Sequence, residues 1–322
     1  MRGRNLLSIA AVISVLAALV AGCGGSDDSS RPAPSAAEFP SAKGKTIEEL
    51  LRQSGAKQTN LVIAPAAQVF DVGENRYPFG VFTRGQEQID DADVALYFAK
   101  NGKAPVQGPL PAQVTSLETK PAYRARGGGV GEATTVYVVP KVDFDSKGPW
   151  MAIAMLKGEK GLEASRVPSP VVGQFQQVPE VGERAPVIHT PTAAEVGGDL
   201  AKIDTRVPPD QMHEVDFADA VGKKPIVLVF ATPALCQSRV CGPVVDVAQQ
   251  VSDSNGDEAD FIHMEVYNDN DPSKGIRPQL RAYGLPTEPW TFLVDRKGIV
   301  RDRLEGAYGV SELEAAMRSI TG

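Results

Sequence analysis

An α/β C-terminal domain behind a mainly-β N-terminal domain is the fold class this sequence predicts. Three observations predict it. The last third alternates short apolar runs with helical patterns, beginning at Ile226–Phe230 (IVLVF). The middle carries runs rich in Val, Tyr, Phe and Ile, separated by turn clusters. The 31 glycines and 25 prolines in 322 residues exceed the roughly 12% of ordinary usage, which excludes a long helical bundle or coiled coil. A hydrophobic content of 42% with 23% charged residues fits a globular chain. The net charge is −7, and removing Arg2 and Arg4 with the N-terminal segment makes it −9, which argues against nucleic-acid partners.

The N-terminus reads as an address. Arg2 and Arg4 precede an apolar stretch, Leu6–Ala21, shorter than the ~20 residues of a spanning helix. It ends in Leu19-Val20-Ala21-Gly22-Cys23, which resembles the lipobox of bacterial lipoproteins. That resemblance implies a signal peptide over 1–22, a lipid on Cys23, and an extracytoplasmic protein anchored to a cell membrane. Two acyl chains suffice for stable anchoring. Residues 23–45 are small, polar and proline-containing, and are expected to form a flexible tether.

Residues 46–176 are expected to form a β-sandwich of immunoglobulin-like type. Thr46 to Glu49 matches a capping box ahead of Leu50 and Leu51 and predicts one short helix. Strands are expected at 60–64, 77–83, 94–100, 134–140 and 150–157, with a weaker one at 171–176. Arg126-Gly-Gly-Gly-Val-Gly131 lacks the Gly-Lys-Ser/Thr ending of a phosphate loop and reads as a loop between strands. This region contains no His and no Cys. Its expected role is a spacer or a partner-binding module.

Residues 177–322 follow a proline-rich stretch. Ile226–Phe230 is continuously apolar, as expected of a strand buried on both faces. A helix is expected at 243–251, a strand at 261–266, a short helix at 276–283, and a strand at 290–294. The turn Asp295-Arg-Lys-Gly298 leads to a strand at 299–304. A capping box at Ser311-Glu-Leu-Glu314 predicts the last helix. Crossover helices can join the first three strands, and a hairpin joins the last two.

That order and four segments resemble the thioredoxin fold, especially its TlpA/ResA-like extracytoplasmic branch. The segments are Val181–Pro186, Asp216–Lys223 running into Ile226–Phe230, Cys241-Gly242-Pro243, and Pro289-Trp-Thr-Phe-Leu-Val-Asp295-Arg-Lys-Gly298. The resemblance covers Val181 to Gly322. It implies thiol–disulfide exchange with exported proteins, without a bound cofactor, and it implies that Pro289 is a cis-proline shaping the substrate groove.

The cysteine segment departs from the family. Four residues separate Cys236 from Cys241 where the family has two, and Val244 stands where the second cysteine falls if Cys241-Gly-Pro is aligned. The other register aligns Cys236 with the first family cysteine. The first is favoured, because Pro243 suits a first helical turn. It places Cys241 at a helix N-terminus, where free N–H groups and the dipole stabilise a thiolate, with Arg239 nearby. Positions five apart on one helix point about 140° apart. Pairing therefore requires Cys236 to sit in the preceding loop. An oxidising compartment makes a disulfide the default.

Three roles stay open for the pair. It is a redox pair, with Cys241 attacking or attacked and Cys236 resolving, or a structural clip in a redox-inert binding or scaffold lipoprotein. The third role is a metal site like that of Sco-type copper chaperones. Those carry a distant His just before the late hairpin, and the segment Tyr283–Thr291 has none. His263 reads as a structural residue in a strand, and His189 and His213 fall in loops. No metal is expected. The peroxiredoxin pattern also fails, because Thr232 stands four residues before Cys236 instead of three.

Overall fold

Two sheets from the first half of the chain share one apolar core, and a third sheet in the second half is covered on both faces. The computed structural model describes residues 30–126, 132–158, 161–236 and 238–322. Cys23, the signal segment, most of the tether's first residues and the Gly127–Gly131 loop lie outside the described residues. The chain is mixed α/β and mostly sheet. No helix among the described residues is long and apolar enough to cross a membrane.

Helix α1 (Ile47–Ser54) starts as expected. Thr46 Oγ1 accepts the Glu49 N–H, Glu49 accepts the Thr46 N–H, and Gly55 ends the helix at φ 66°. The strands of the first half are β1 (Lys57–Gln58), β2 (Val62–Pro65), β3 (Gly73–Phe82), β4 (Val94–Ala99), β5 (Gln107–Pro111) and β6 (Gln113–Ser116). They continue with β7 (Thr135–Phe144), β8 (Gly148–Pro149), β9 (Met151–Gly158), β10 (Gly161–Val167) and β11 (Val171–Val172). One sheet has the order β1-β10-β9-β4-β5 and the other β2-β3-β7-β6. Tyr77, Phe79, Leu96, Phe98, Tyr137 and Phe144 fill the core between them. The weak strand expected at 171–176 shrinks to β11, because the chain turns from Gly173 at φ 73°.

The second half holds α2 (Phe217–Ala220), β12 (Ile226–Phe230), α3 (Cys241–Asn255), β13 (Asp260–Met264), α4 (Pro278–Ala282), β14 (Trp290–Val294), β15 (Val300–Glu305) and α5 (Val310–Thr321). The element order is the expected one, and the sheet order is β13-β12-β14-β15. The crossover expectation needs a correction. β12 and β13 are parallel, but β14 runs antiparallel to β12. β14 re-enters the sheet at the end where β13 leaves it, so no helix has to carry the chain back along a face. The capping box at Ser311 does not form either. Gly309 is the N-cap of α5, without a side-chain cap. Ser311 therefore lies inside the first turn, and its neighbour Glu312 pairs with Arg76 at 2.6 Å.

The two halves interlock. Val136 and Val138 of β7 point away from Tyr137 and Val139 and join the core of α3 and α5, so β7 serves two cores at once. Arg76 donates to both oxygens of Glu312 and to the Ala307 and Glu305 carbonyls. Glu305 accepts the Gln68 and Val69 N–H groups, at 2.9 Å each. Gly306 closes this seam. It sits at φ 78°, and a Cβ there would run into the Ala66 carbonyl. Gly306→Ala is expected to cost about 2 kcal/mol through left-handed strain and the clash. A lowered midpoint in chemical denaturation, with an unchanged slope, checks it.

Candidate active site

The chain leaves the C-terminal end of β12 at Ala231, and α3 begins at Cys241. Cys236 lies in the loop between them and Cys241 is the first residue of the helix, so the two can meet. They form a disulfide with Cα atoms 5.9 Å apart. Cys241 is 0% exposed, while Cys236 is only partly buried and packs at the edge of the core. Gly242 and Pro243 are buried in the first turn of α3. Pro243 removes a donor that would have had no helical acceptor. The dipole of this 15-residue helix points its positive end at the Cys241 sulfur. Ser238 Oγ lies 3.1 Å from the Cys236 sulfur.

Arg239 does not join the sulfurs as a cation. Its guanidinium hydrogen-bonds Gln86 of the first half, and its carbonyl accepts the Ala133 N–H. It holds a left-handed φ of 62°, so the loop is fastened to the β2-β3-β7-β6 sheet through a strained residue.

The Glu288–Pro289 peptide is cis, and β14 starts immediately after it beside β12. This turn brings Glu288 to the disulfide. One carboxylate oxygen of Glu288 and the two sulfurs lie within 4.8 Å of one another. Glu288 Oε2 is buried with no hydrogen-bond partner. Burial, aided by the nearby charge of Glu265, pushes the Glu288 carboxyl up to about 7. Nothing in the residue spacing marked Glu288, although its place just before the suspected cis-proline was a usable signal.

Trp290 is core and does not narrow a groove. It is 1% exposed, donates from Nε1 to Thr287 Oγ1, and stacks on Phe292. Beside Ser238 and Glu288 runs a groove of about 390 Å³, whose apolar wall includes Val266, Ile276, Leu280 and Leu285. A larger cleft of about 720 Å³ lies between the halves, away from the disulfide, and is lined by the ion-paired Arg76, Glu312, Arg303 and Asp71.

As a metal site the reduced pair would offer two thiolates and the Glu288 carboxylate. A hard oxygen donor suits soft Cu(I) poorly. His189 lies elsewhere, hydrogen-bonded to Asp216, the N-cap of α2. His213 and His263 come together with Asp204 and Asp210 in a separate buried cluster that sequence reading missed. No protein-family model matches the chain, and no curated protein is significantly similar to it.

Proposed function

We propose that this chain is a membrane-anchored extracytoplasmic thiol–disulfide oxidoreductase acting on exported proteins through Cys236 and Cys241. In this reading the second half is thioredoxin-like, the first half is an immunoglobulin-like sandwich, and the lipid on Cys23 supplies the bilayer anchor. The observation that carries it is the half-buried Glu288 carboxyl beside the disulfide, one oxygen of which is enclosed without a hydrogen-bond partner. A structural clip has no use for a proton-transfer group, and burying one without a partner is costly. A carboxyl that titrates near neutral pH next to two sulfurs suits exchange chemistry.

Burial supports the opposite order of roles to the one expected from the sequence. The accessible sulfur is Cys236, so Cys236 meets the partner and Cys241 resolves. A partner thiolate attacks Cys236 Sγ, the Cys236–Cys241 bond breaks, and Cys241 leaves as a thiolate at the α3 N-terminus. A second partner thiolate then attacks the partner's sulfur in the mixed disulfide and releases the Cys236 thiolate. The partner is oxidised to a disulfide and the pair is reduced to a dithiol, with Glu288 exchanging the proton. The reverse sequence reduces a partner. The groove beside Ser238 and Glu288 has the apolar wall that an extended partner segment needs.

The test is mixed-disulfide trapping with the full chain and its two single-serine variants. Cys241→Ser is expected to accumulate a covalent complex with thiol proteins, because the resolving sulfur is gone. Cys236→Ser is expected to trap little, because Cys241 is enclosed. A reduction potential well below about −300 mV, with no complex trapped by either variant, would leave the disulfide a structural clip.

A further inference from the structure

The fold buries a second group of chemically active side chains, apart from the disulfide. The loop before α2 carries Asp204, Asp210 and His213 against β13, where His263 meets them. The side chains of Asp204, Asp210 and His263 are 0% exposed, and that of His213 is 1% exposed. One donor atom from each lies within 4.8 Å of all the others.

Backbone hydrogen bonds hold the carboxylates in place. Asp204 accepts the N–H groups of Arg206 and Asp210, at 2.7 Å each, and Asp210 Oδ1 accepts the Met212 N–H at 2.8 Å. Each of these oxygens keeps a second lone pair. His263 Nε2 donates to the Ala231 carbonyl at 3.1 Å, which leaves Nδ1 facing Asp210 Oδ2 at 2.7 Å. At that distance the two atoms share a proton, and an ion that takes both as ligands displaces this proton and moves them about 0.6 Å further apart.

His213 is the anomaly. Neither of its ring nitrogens makes a hydrogen bond, although the side chain is enclosed. Its Nε2 nevertheless points at the carboxylates, 3.5 Å from Asp204 Oδ2 and 3.4 Å from Asp210 Oδ1. An enclosed polar group with no partner costs about 1–3 kcal/mol, so an imidazole aimed at two carboxylates without bonding either needs a reason. Four ligands held tetrahedrally at about 2.0–2.1 Å from one ion stand about 3.3 Å apart. The His213 separations lie close to that edge length.

We infer that Asp204, Asp210, His213 and His263 form a closed, buried site for a divalent first-row transition ion, with Zn²⁺ the best match. Two imidazoles and two carboxylates make a borderline donor set, without the thiolates that select Cu(I). Four protein ligands leave no open position, which marks a structural site. The Ala231 carbonyl is the outer partner that fixes the His263 ring, as metal-bound imidazoles require. Ala231 begins the loop that carries Cys236, and Thr205 Oγ1 accepts the Ala234 N–H within that loop. The ion would therefore staple the 204–213 loop beneath the disulfide.

The test uses the full chain with Cys236→Ser and Cys241→Ser, which removes thiolate binding. After incubation with Zn²⁺ alone and desalting, about one equivalent of metal is expected, with protons released on uptake as the metal displaces them. His213→Gln is expected to weaken retention at least tenfold. Co²⁺ in place of Zn²⁺ is expected to show the intense visible bands of four-coordinate cobalt, absent in His213→Gln. A chelator is expected to lower the thermal midpoint of the parent protein and to leave that of the variant unchanged. Should the variant fail to fold, the parent's stoichiometry and chelator response still decide. A folded parent that retains no metal and ignores the chelator would overturn the proposal, leaving a buried ion-pair network. Equal retention by His213→Gln would overturn it as well.

Discussion

Glu288→Gln is expected to slow disulfide exchange by roughly 10²-fold near pH 7.5 while making the folded protein more stable, a combination that a purely structural residue does not produce. The carboxyl is pushed up to about 7 by burial. Below that value it is protonated and resembles the amide, so wild type and variant converge in rate. Above it the wild-type carboxylate can accept a proton from a cysteine of the reduced pair, and the amide cannot. The rate of the wild type therefore rises through pH 7, and the variant loses that step. The stability effect has the opposite sign. A carboxyl whose folded value is raised binds its proton more tightly in the folded state. Its penalty is absent below the unfolded value and grows as pH rises towards the folded one. Removing the charge relieves on the order of 2 kcal/mol above neutral pH. Exchange rates and urea midpoints, both measured across pH, check the two halves. A variant that is slower and also less stable at pH 8 would count against the proton-transfer role.

Arg206→Ala carries the largest expected loss of stability, about 3–5 kcal/mol, because it leaves a buried carboxylate without its counter-ion. Arg206 is enclosed, with a side chain 4% exposed. Its Nε donates to Asp246 Oδ1 at 2.8 Å, and its other nitrogens donate to the carbonyls of Pro208 and Tyr123. Asp246 Oδ2 accepts the Ala125 N–H. The pair thus binds α3 to the loop before β7 and to the 204–213 loop. Burial already raises the Asp246 carboxyl above its ordinary range, despite the arginine. Removing the guanidinium raises it further, so the folded variant takes up a proton more readily than the unfolded chain does. The deficit of the variant is then smaller at about pH 5 than at pH 7. Adding Asp246→Asn to Arg206→Ala is expected to recover part of the loss, since the stranded charge goes with it. Denaturation curves of the three variants at the two pH values check the argument. No recovery in the double variant would shift the cause to the lost carbonyl contacts of Arg206.

The parts of the fold that could be read from sequence were those whose residues declare their surroundings locally. Ile226–Phe230 is apolar at every position because both faces of its sheet are covered, and the structure buries all five residues. Thr46 caps the helix that it was expected to cap. Ser311 had the same local credentials and failed, because the helix already begins at Val310 with Gly309 as its N-cap, which puts Ser311 inside the first turn. Strands β5, β6 and β10 went unread for compositional reasons. β5 contains Gly108, Pro109 and Pro111 and lies at a sheet edge, the one place where proline is tolerated. β10 (GLEASRV) carries few β-branched or aromatic residues and is recruited by its pairing with β9.

The candidate site divides the same way. Cys236 and Cys241 are visible as the only pair of cysteines close in sequence, and helical geometry required one of them to sit in the loop. Glu288 gains its meaning only from the turn at Pro289, which no periodicity describes. Asp204, Asp210, His213 and His263 span sixty residues and share no spacing motif, since the enclosing loop is set by tertiary contacts.

β7 is the feature with the widest consequence. Its alternating side chains are committed to two different interiors, Tyr137 and Val139 to one and Val136 and Val138 to the other. The first interior lies wholly before residue 176, but the second is incomplete in a fragment cut there, because the C-terminal piece would lack Leu117, Val136 and Val138. The C-terminal half is therefore expected to depend on the first half for its stability, and expressed alone it would expose an apolar wall in place of a surface. Movement of one half relative to the other is suppressed for the same reason, so the first half acts as a fixed brace behind the disulfide helix.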